Sequence, residues 1–276
     1  MSANEAIADN YAHGSLLASI EDALAALGKT KDTVTVADLG PVDEFHIGGR
    51  LATRDFLDQL TFLPEQQILD VGCGLGGASR FAAISYQTRG SGIDITAEYI
   101  ETGKVLNEWV GLADQIQLHH ASALDMPFPD NHFDGGFMLH VGMNIADKRA
   151  LFKELSRVLR PGSAFGIFDV MRMNKGELMY PLPWAADQKI CRVASLDTYK
   201  KSLDAAGFEV STERNRRDWA VDFFKTQHEK TAARGGPPPL SLHTLMQAET
   251  SMKIANMVRN ISAGLIAPVE LIANKI

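Results

Sequence analysis

The stretch Ile68-Leu69-Asp70-Val71-Gly72-Cys73-Gly74-Leu75-Gly76-Gly77 decides the fold. Apolar residues lead into an acid, and a glycine-rich turn follows at once. That order predicts a strand ending in a loop where a ligand can approach bare backbone, with a helix starting near Ala78. A nucleotide-like cofactor at the end of the first strand of a parallel sheet is the expectation, and the surrounding residues decide which cofactor.

Outward from this stretch, strand and helix patterns alternate. Strands are expected at 67–71, 90–95, 116–119, 133–140 and 164–170, and helices at 78–85, 97–110 and 148–159. Arg160-Pro161-Gly162 reads as a turn before the fifth strand. Alternating βα units imply a parallel sheet covered on both faces, with ligands outside the carboxyl ends of its strands. Past Asp169 the alternation is interrupted by a long connection, 171–193, containing Pro181-Leu182-Pro183-Trp184. A helix at 195–206, a strand at 208–212, helices near 218–232 and 242–262, and a last strand within 264–276 complete this part. Ahead of the sheet, Leu16, Leu17, Ile20, Leu24 and Leu27 give helical period to 7–27. Residues 30–48 read as irregular, with a turn at Gly40-Pro41, and 50–60 as a second helix.

The chain has 276 residues, 45% of them hydrophobic, and a formal net charge of −7. That balance opposes a general nucleic-acid surface, which needs clustered Lys and Arg. Arg214-Asn215-Arg216-Arg217 is a local basic spot that a solvated face explains. Two cysteines, Cys73 and Cys191, make no disulfide framework. The start lacks a signal-peptide pattern, and no apolar run approaches the roughly 20 residues of a membrane span. A cytoplasmic protein without a membrane partner is the expectation. No metal site is indicated: His119 and His120 are adjacent on a strand and face opposite ways, and the other histidines lack ligand spacing.

Three features narrow the cofactor. Asp70 sits two residues before the first glycine, where a carboxylate suits a positively charged amino-acid group; a dinucleotide site wants donors facing pyrophosphate instead. Asp94 ends the second strand and can accept both ribose hydroxyls, which either cofactor would use. Ser122-Ala123 follow the third strand, where a small polar pair before an apolar turn suits an adenine edge and face.

These residues resemble class I S-adenosylmethionine-dependent methyltransferases. The stretch 70–77 is similar to the first motif of that family, and Asp94 to its ribose-binding acid. Met126-Pro127-Phe128-Pro129-Asp130-Asn131-His132-Phe133-Asp134 resembles the entry to the fourth strand, and 155–162 the helix and turn before the fifth. The family usually carries an acid where Ser122 stands, so the Ser122 hydroxyl or the Ala123 backbone would meet the adenine. Phe45-His46-Ile47-Gly48-Gly49-Arg50, His140-Val141-Gly142-Met143-Asn144-Ile145 and 181–184 resemble the sarcosine/dimethylglycine-type and related small-molecule branch.

The resemblance implies an α/β fold: a Rossmann-like, doubly wound, mostly parallel seven-stranded sheet with an antiparallel last strand. An N-terminal helical lid over 1–63 and a methyltransferase domain over 64–276 follow, with substrate-side insertions at about 171–194 and 215–263. S-adenosylmethionine is the implied cofactor. Asp70, Gly72, Gly74, Gly76, Asp94, Ile95, Ser122, Ala123 and Leu139 are the candidate cofactor positions.

Methyl transfer is an in-line displacement in a site closed to water. An amine acceptor needs to be uncharged and aligned, whereas a phenol or alcohol gains more from a base. His140, ending the fourth strand, is the candidate base; a histidine bonded to backbone is the alternative. Asn144 and Asp169 lie at neighbouring strand ends and can orient an acceptor, although Asp169 can equally cap a loop. Tyr11 and His13 fall in the lid. His46 and Phe45 precede a glycine pair that allows close approach, with Arg50 near the cofactor carboxylate. Trp184 is a candidate wall of the acceptor pocket, and Arg172 can pair a substrate carboxylate or lie on the surface.

A small-molecule N- or O-methyltransferase is the reading these residues favour. The rivals are an NAD(P)-dependent oxidoreductase on the same sheet and an S-adenosylmethionine-binding protein without transferase activity. A nucleic-acid or protein methyltransferase would need a reader domain or an Asn-Pro-Pro-Tyr-like element, and this chain has His140-Val141-Gly142-Met143 there. A homodimer is compatible with the pattern.

Overall fold

The computed structural model of the protein describes residues 8, 11, 12, 14–246 and 249–276. Its centre is a seven-stranded sheet in the order β3-β2-β1-β4-β5-β7-β6. The strands are β1 (Gln67–Val71), β2 (Arg89–Asp94), β3 (Ile116–His120), β4 (Phe133–Leu139), β5 (Leu159–Arg172), β6 (Phe208–Asn215) and β7 (Ile266–Lys275). β1 pairs in parallel with β2 and β4, and β7 runs antiparallel to β5 and β6. The expected Rossmann-like sheet with its reversed last strand is therefore present.

β5 shows why the sheet holds. Phe165, Ile167, Phe168, Val170 and Met171 are all fully buried, alternate residues facing helices on opposite sides. Each such side chain contributes about 1.5–3 kcal/mol relative to exposure. Residues 160–163, read from sequence as a turn, are a bulge inside this strand: Leu159 pairs with Phe133, and register resumes at Ala164 opposite Gly135. Gly162 takes φ +81° there.

The N-terminal segment departs from the sequence expectation in two places. Among the described residues the helix expected over 7–27 is broken in two: Ala8 and Tyr11 are helical, Gly14 at φ +83° interrupts, and Leu16–Ala26 follows. Ile7 and His13 lie outside the described residues. Glu98 anchors this helix to the core, its two carboxylate oxygens accepting from the Gly14 and Leu16 N–H groups at 2.8 and 2.9 Å. The supposedly irregular stretch contains a helix, Val36–Asp43, and Pro41 lies inside it. Thr35 and Asp38 form its capping box, each side chain accepting from the other's backbone N–H. Leu39 and Val42 are buried, and that burial outweighs the one helical bond Pro41 cannot make.

The helix Gly49–Leu57 lays Phe56 and Leu57 on the sheet against Phe137, Phe168 and Ile272. The helix Leu16–Ala26 packs on Leu75, Tyr99 and Leu106, and also on Leu240 and Leu245 from the far end of the chain. The single helix expected over 242–262 is two, Leu242–Met246 and Thr250–Ser262. Among the described residues no helix is long and apolar enough to cross a membrane.

One buried ion pair ties the N-terminal segment to the sheet. Arg80, on the helix Gly77–Tyr86, donates to Asp43 Oδ1 at 2.5 Å and Oδ2 at 3.3 Å, and to Asn107 Oδ1 at 2.6 Å. Both partners are fully buried at the side chain. Removing one partner strands a charge in the interior. Asp43→Ala is expected to cost about 3–5 kcal/mol in urea unfolding, and the apolar pair Asp43→Leu/Arg80→Met to recover most of it.

Candidate functional site

A cavity of about 1440 Å³ opens over the carboxyl ends of β1, β2 and β4. Its floor is the glycine turn. The N–H groups of Gly72 and Cys73 both donate to Ile93 O, at 2.8 and 2.9 Å, so the chain folds back over β2 as it leaves β1. Gly72 has φ +69°, and a Cβ there would come within 2.3 Å of Val141. Asp94 clasps this turn: one oxygen accepts from Gly74 N–H at 3.0 Å, the other from Thr96 N–H at 2.8 Å. Each oxygen keeps a lone pair facing outward. Burial raises the Asp94 carboxyl, and the Thr96 and Gly74 bonds oppose the rise.

Asp70 lies beside it and accepts from Ser79 Oγ at 2.7 Å. Burial pushes its carboxyl up to about 7; Ser79 opposes the shift, while the charges of Asp94 and Glu44 add to it. The floor therefore carries buried carboxylates with little cation of their own to satisfy them. Ile95, Ser122, Ala123 and Leu139 also line the cavity. Ser122 Oγ accepts from Leu124 N–H at 3.2 Å, which leaves its hydroxyl proton free to donate.

The roof is the segment following the ion-paired Asp43. Glu44 Oε2 accepts from Thr53 Oγ1 at 2.5 Å and lies 2.8 Å from His46 Nε2. Burial alone would raise the Glu44 carboxyl; His46, Arg50 and Thr53 together hold it below its ordinary value. Arg50, expected near a cofactor carboxylate, lines the cavity but forms an ion pair with Glu44 and approaches Asp43 at 3.7 Å.

His140 sits where β4 ends, at φ +58°, a backbone region that costs a non-glycine residue energy. Its Nδ1 donates to Phe168 O at 3.2 Å, and its Nε2 accepts from Ile47 N–H at 3.4 Å. That pairing fixes the neutral ring. Burial, then the neighbouring His46, holds the imidazole well below its ordinary value, against the opposing Phe168 bond.

Asn144 donates through Nδ2 to Tyr11 Oη at 3.0 Å. The Tyr11 ring stands edge-on to Phe45 and Tyr99, with centroids 5.9 and 6.2 Å away. Burial raises the Tyr11 phenol, so it stays protonated. Asn144 Oδ1 and Trp184 Nε1 are buried without a hydrogen-bond partner, although both residues line the cavity. An acceptor and a donor thus wait on one wall.

The structure brings together Tyr11, His46, Asp70, Gly72, Gly74, Asp94, Ile95, Ser122, Ala123, Leu139, His140, Asn144 and Trp184 around this cavity. Three candidates, Gly76, Asp169 and Arg172, do not line it. Gly76 is the residue before the helix Gly77–Tyr86 and faces Leu118, shaping the turn from behind. Asp169 is fully buried behind the wall, accepting from Tyr199 Oη at 2.5 Å and from the Val170 N–H. It supports the Gly142–Asn144 turn from behind, and burial pushes its carboxyl up to about 6. Arg172 reaches the Gly176 carbonyl instead of the cavity. Sequence reading passed over Glu44 and Arg192, both on the wall. Glu44 directly precedes the quoted Phe45-His46, and Arg192 lies just ahead of the helix Leu196–Ala205, so nothing in spacing singles either out. Among the described residues no cluster of His, Cys, Asp and Glu could hold a metal.

The raised Asp70 carboxyl has a consequence for stability. The folded state holds its proton up to about pH 7, the unfolded state only to about 4. The folded state thus binds more protons between those values, and stability falls as pH rises through that window. Asp70→Asn removes this loss. The variant is expected to be more stable than wild type in urea unfolding at pH 8, by at most about 4 kcal/mol, with no such gain at pH 4.

A methyltransferase-domain family model matches residues 69–167, the stretch containing β1, the glycine turn, Asp94 and β4. Phosphoethanolamine N-methyltransferase 3 of Arabidopsis thaliana is 30% identical over 183 residues, 65% of this chain and 36% of that protein. The chain spans about a third of the length of such curated relatives. Geranyl diphosphate C-methyltransferase of Streptomyces coelicolor A3(2) superposes with TM-score 0.72 over 100% of this chain and 99% of that one, at 16% identity. A Galdieria sulphuraria protein provisionally assigned as a sarcosine dimethylglycine methyltransferase gives TM-score 0.67 at 20% identity, covering 94% and 98%. At such identities the likeness is one of fold.

Proposed function

We propose, from a chain whose residues 69–167 are a class I S-adenosylmethionine-dependent methyltransferase domain, that it transfers a methyl group to a nitrogen or oxygen of a small molecule. One observation carries this reading: Asp70 and Asp94 both line the cavity at the glycine turn, and neither has an ion-pair partner among the described residues. A ligand with an ammonium and a sulfonium suits such a floor. A dinucleotide would bring its pyrophosphate against the same carboxylates.

The residues present fit S-adenosylmethionine on further grounds. The outward lone pairs of Asp94 match two ribose hydroxyls. Asp70, with its raised carboxyl, gains a reason to ionise when a cation arrives. At Gly74 an added Cβ would have Tyr99 at 3.9 Å as its nearest neighbour, so the cavity reaches bare backbone there. The Ser122 hydroxyl, with its proton free, suits a ring nitrogen better than an amino group. When bound, S-adenosylmethionine supplies a methyl carbon on a sulfonium leaving group.

Everything else falls to the chain. Tyr11, Asn144 and Trp184 hold and orient the acceptor through the phenol, the unpartnered amide oxygen and the indole N–H. Phe45, His46 and Ile47 exclude water from above. His140 is the proton-accepting group: its neutral ring keeps a lone pair on Nε2, now engaged only by the 3.4 Å contact with Ile47. The apolar neighbours Met143 and Trp184 argue for a small molecule over a nucleic acid. Residues 1–63, 171–194 and 215–263 then serve as the acceptor side.

Calorimetric titration tests this reading. S-adenosylhomocysteine is expected to bind at micromolar Kd, and Asp94→Ala to weaken it at least 100-fold with the fold intact by circular dichroism. NADH is expected not to bind; NADH binding in place of S-adenosylhomocysteine would overturn the reading in favour of an oxidoreductase. Binding without methyl turnover across amines and phenols would favour a silent binding protein.

The depressed His140 imidazole sets the pH dependence. Its accepting form persists below the ordinary histidine range. The acidic limb of kcat is therefore expected well below pH 6.5, and His140→Gln to lower kcat by about 10²–10⁴-fold, the usual worth of a positioned base.

A further inference from the structure

The helices that follow β6 give the same cavity a basic lining, opposite in charge to Asp70 and Asp94 at its floor. On the helix Arg217–Arg234, the residues lining the cavity include Lys225, His228, Lys230 and Arg234, whereas Asp218, Asp222 and Glu229 of that helix do not line it. Arg259 lines it from the helix Thr250–Ser262. Lys253 of the same helix, which does not line it, lies 3.9 Å from Glu249.

Arg192 completes the rim from the long connection after β5. It is tied to the acceptor wall by its backbone: its N–H donates to Met143 O, and its carbonyl accepts from Lys148 Nζ. Among the described residues its guanidinium donates to the carbonyls of Lys189 and Cys191. None of Arg192, Lys225, Lys230, Arg234 and Arg259 pairs with a carboxylate among the described residues. The one acid on this side of the wall, Asp147, is committed to capping the helix Lys148–Val158 by accepting from Ala150 N–H.

A protein of net charge −7 would not gather its lining cations in one place by average composition. Charge sorting across the helix Arg217–Arg234, with Arg259 added from a second helix, marks the direction from which an anion enters. Phe223, Phe224, Leu245, Met246, Met257 and Trp184 give the same cavity an apolar lining as well. The cavity volume of about 1440 Å³ also exceeds the roughly 300–1,000 Å³ of a pocket built for one small ligand.

We propose that the acceptor is an anionic amphiphile: a dissolved small molecule with an apolar body and an oxyanion group, its nucleophile directed to the floor and its anion held at the basic rim. This rests on the cofactor reading above and extends it to the acceptor. Such a substrate enters in one orientation, because the acidic floor repels the end that the rim attracts. Lys225, Lys230, Arg234 and Arg259 are exposed, so the attraction is screened by salt.

The test compares two fluorescent probes sharing one apolar body, 8-anilinonaphthalene-1-sulfonate and uncharged N-phenyl-1-naphthylamine, on protein saturated with S-adenosylhomocysteine. The sulfonate is expected to bind at least 10-fold tighter, with the advantage shrinking between 0.05 and 0.5 M salt. Lys230→Gln/Arg234→Gln/Arg259→Gln, exposed changes that leave the core alone, is expected to remove that advantage without altering the uncharged probe or S-adenosylhomocysteine. Equal affinity for both probes in wild type, or an advantage that survives the triple variant, would overturn the proposal. Failure of S-adenosylhomocysteine to bind wild type would instead overturn the cofactor reading.

Discussion

Arg80 is the largest fully buried side chain among the described residues, and the carboxylate it meets is that of Asp43. Burying two charges costs several kcal/mol per ion, which their attraction repays only with good geometry. The pair therefore acts less as a source of stability than as a locator. It joins the helices Val36–Asp43 and Gly77–Tyr86, and Asn107 brings in the helix Ala97–Trp109. The approach at Gly77 is so close that a Cβ would stand 2.3 Å from Asp43 Cβ. Glu44, His46 and Ile47 follow within a few residues of that fixed point. The roof cannot shift over the glycine turn without separating the ion pair.

From that constraint the cavity inherits its polarity. The roof lies over Asp70 and Asp94, which have no ion-pair partner among the described residues, whereas its own Asp43 and Glu44 are paired. Arg50, the cation that approaches this end of the cavity, is consumed in pairing with Glu44, and His46 Nε2 lies 2.8 Å from the same carboxylate. The helices after β6 bring unpaired Lys and Arg to the outer end. The proposed methyl transfer uses both halves: a cationic cofactor below, an acceptor oriented from above, and a neutral His140 between roof and strand.

The architecture was legible because its signals are local. The glycine turn, Asp94 at the end of β2 and the apolar strands each declare themselves within a few residues. The helix Val36–Asp43 was missed because Gly40-Pro41 outweighs a Thr35–Asp38 capping box when read locally, while the burial of Leu39 and Val42 is a tertiary fact. Asp169 shows the reverse error. A strand-end acid was placed at the acceptor, but alternation along a doubly covered strand gives its side chain to Tyr199 on the far side. The basic rim was unreadable for a third reason. Lys225, Lys230 and Arg234 sit among Asp222 and Glu229 in sequence, and only the helix's orientation sorts them. Tyr11, Asn144 and Trp184 were named from sequence position and resemblance and all line the cavity, yet the contact between the first two spans 133 residues of chain.

The central claim is that the acidic inner end of the cavity takes the sulfonium cofactor. A crystal structure with S-adenosylhomocysteine tests it most directly. The account requires the ribose hydroxyls within hydrogen-bond distance of Asp94 and the amino group on the Asp70 side of the glycine turn. A ligand seated at the basic rim, or turned so that its carboxylate meets Asp70, would contradict it.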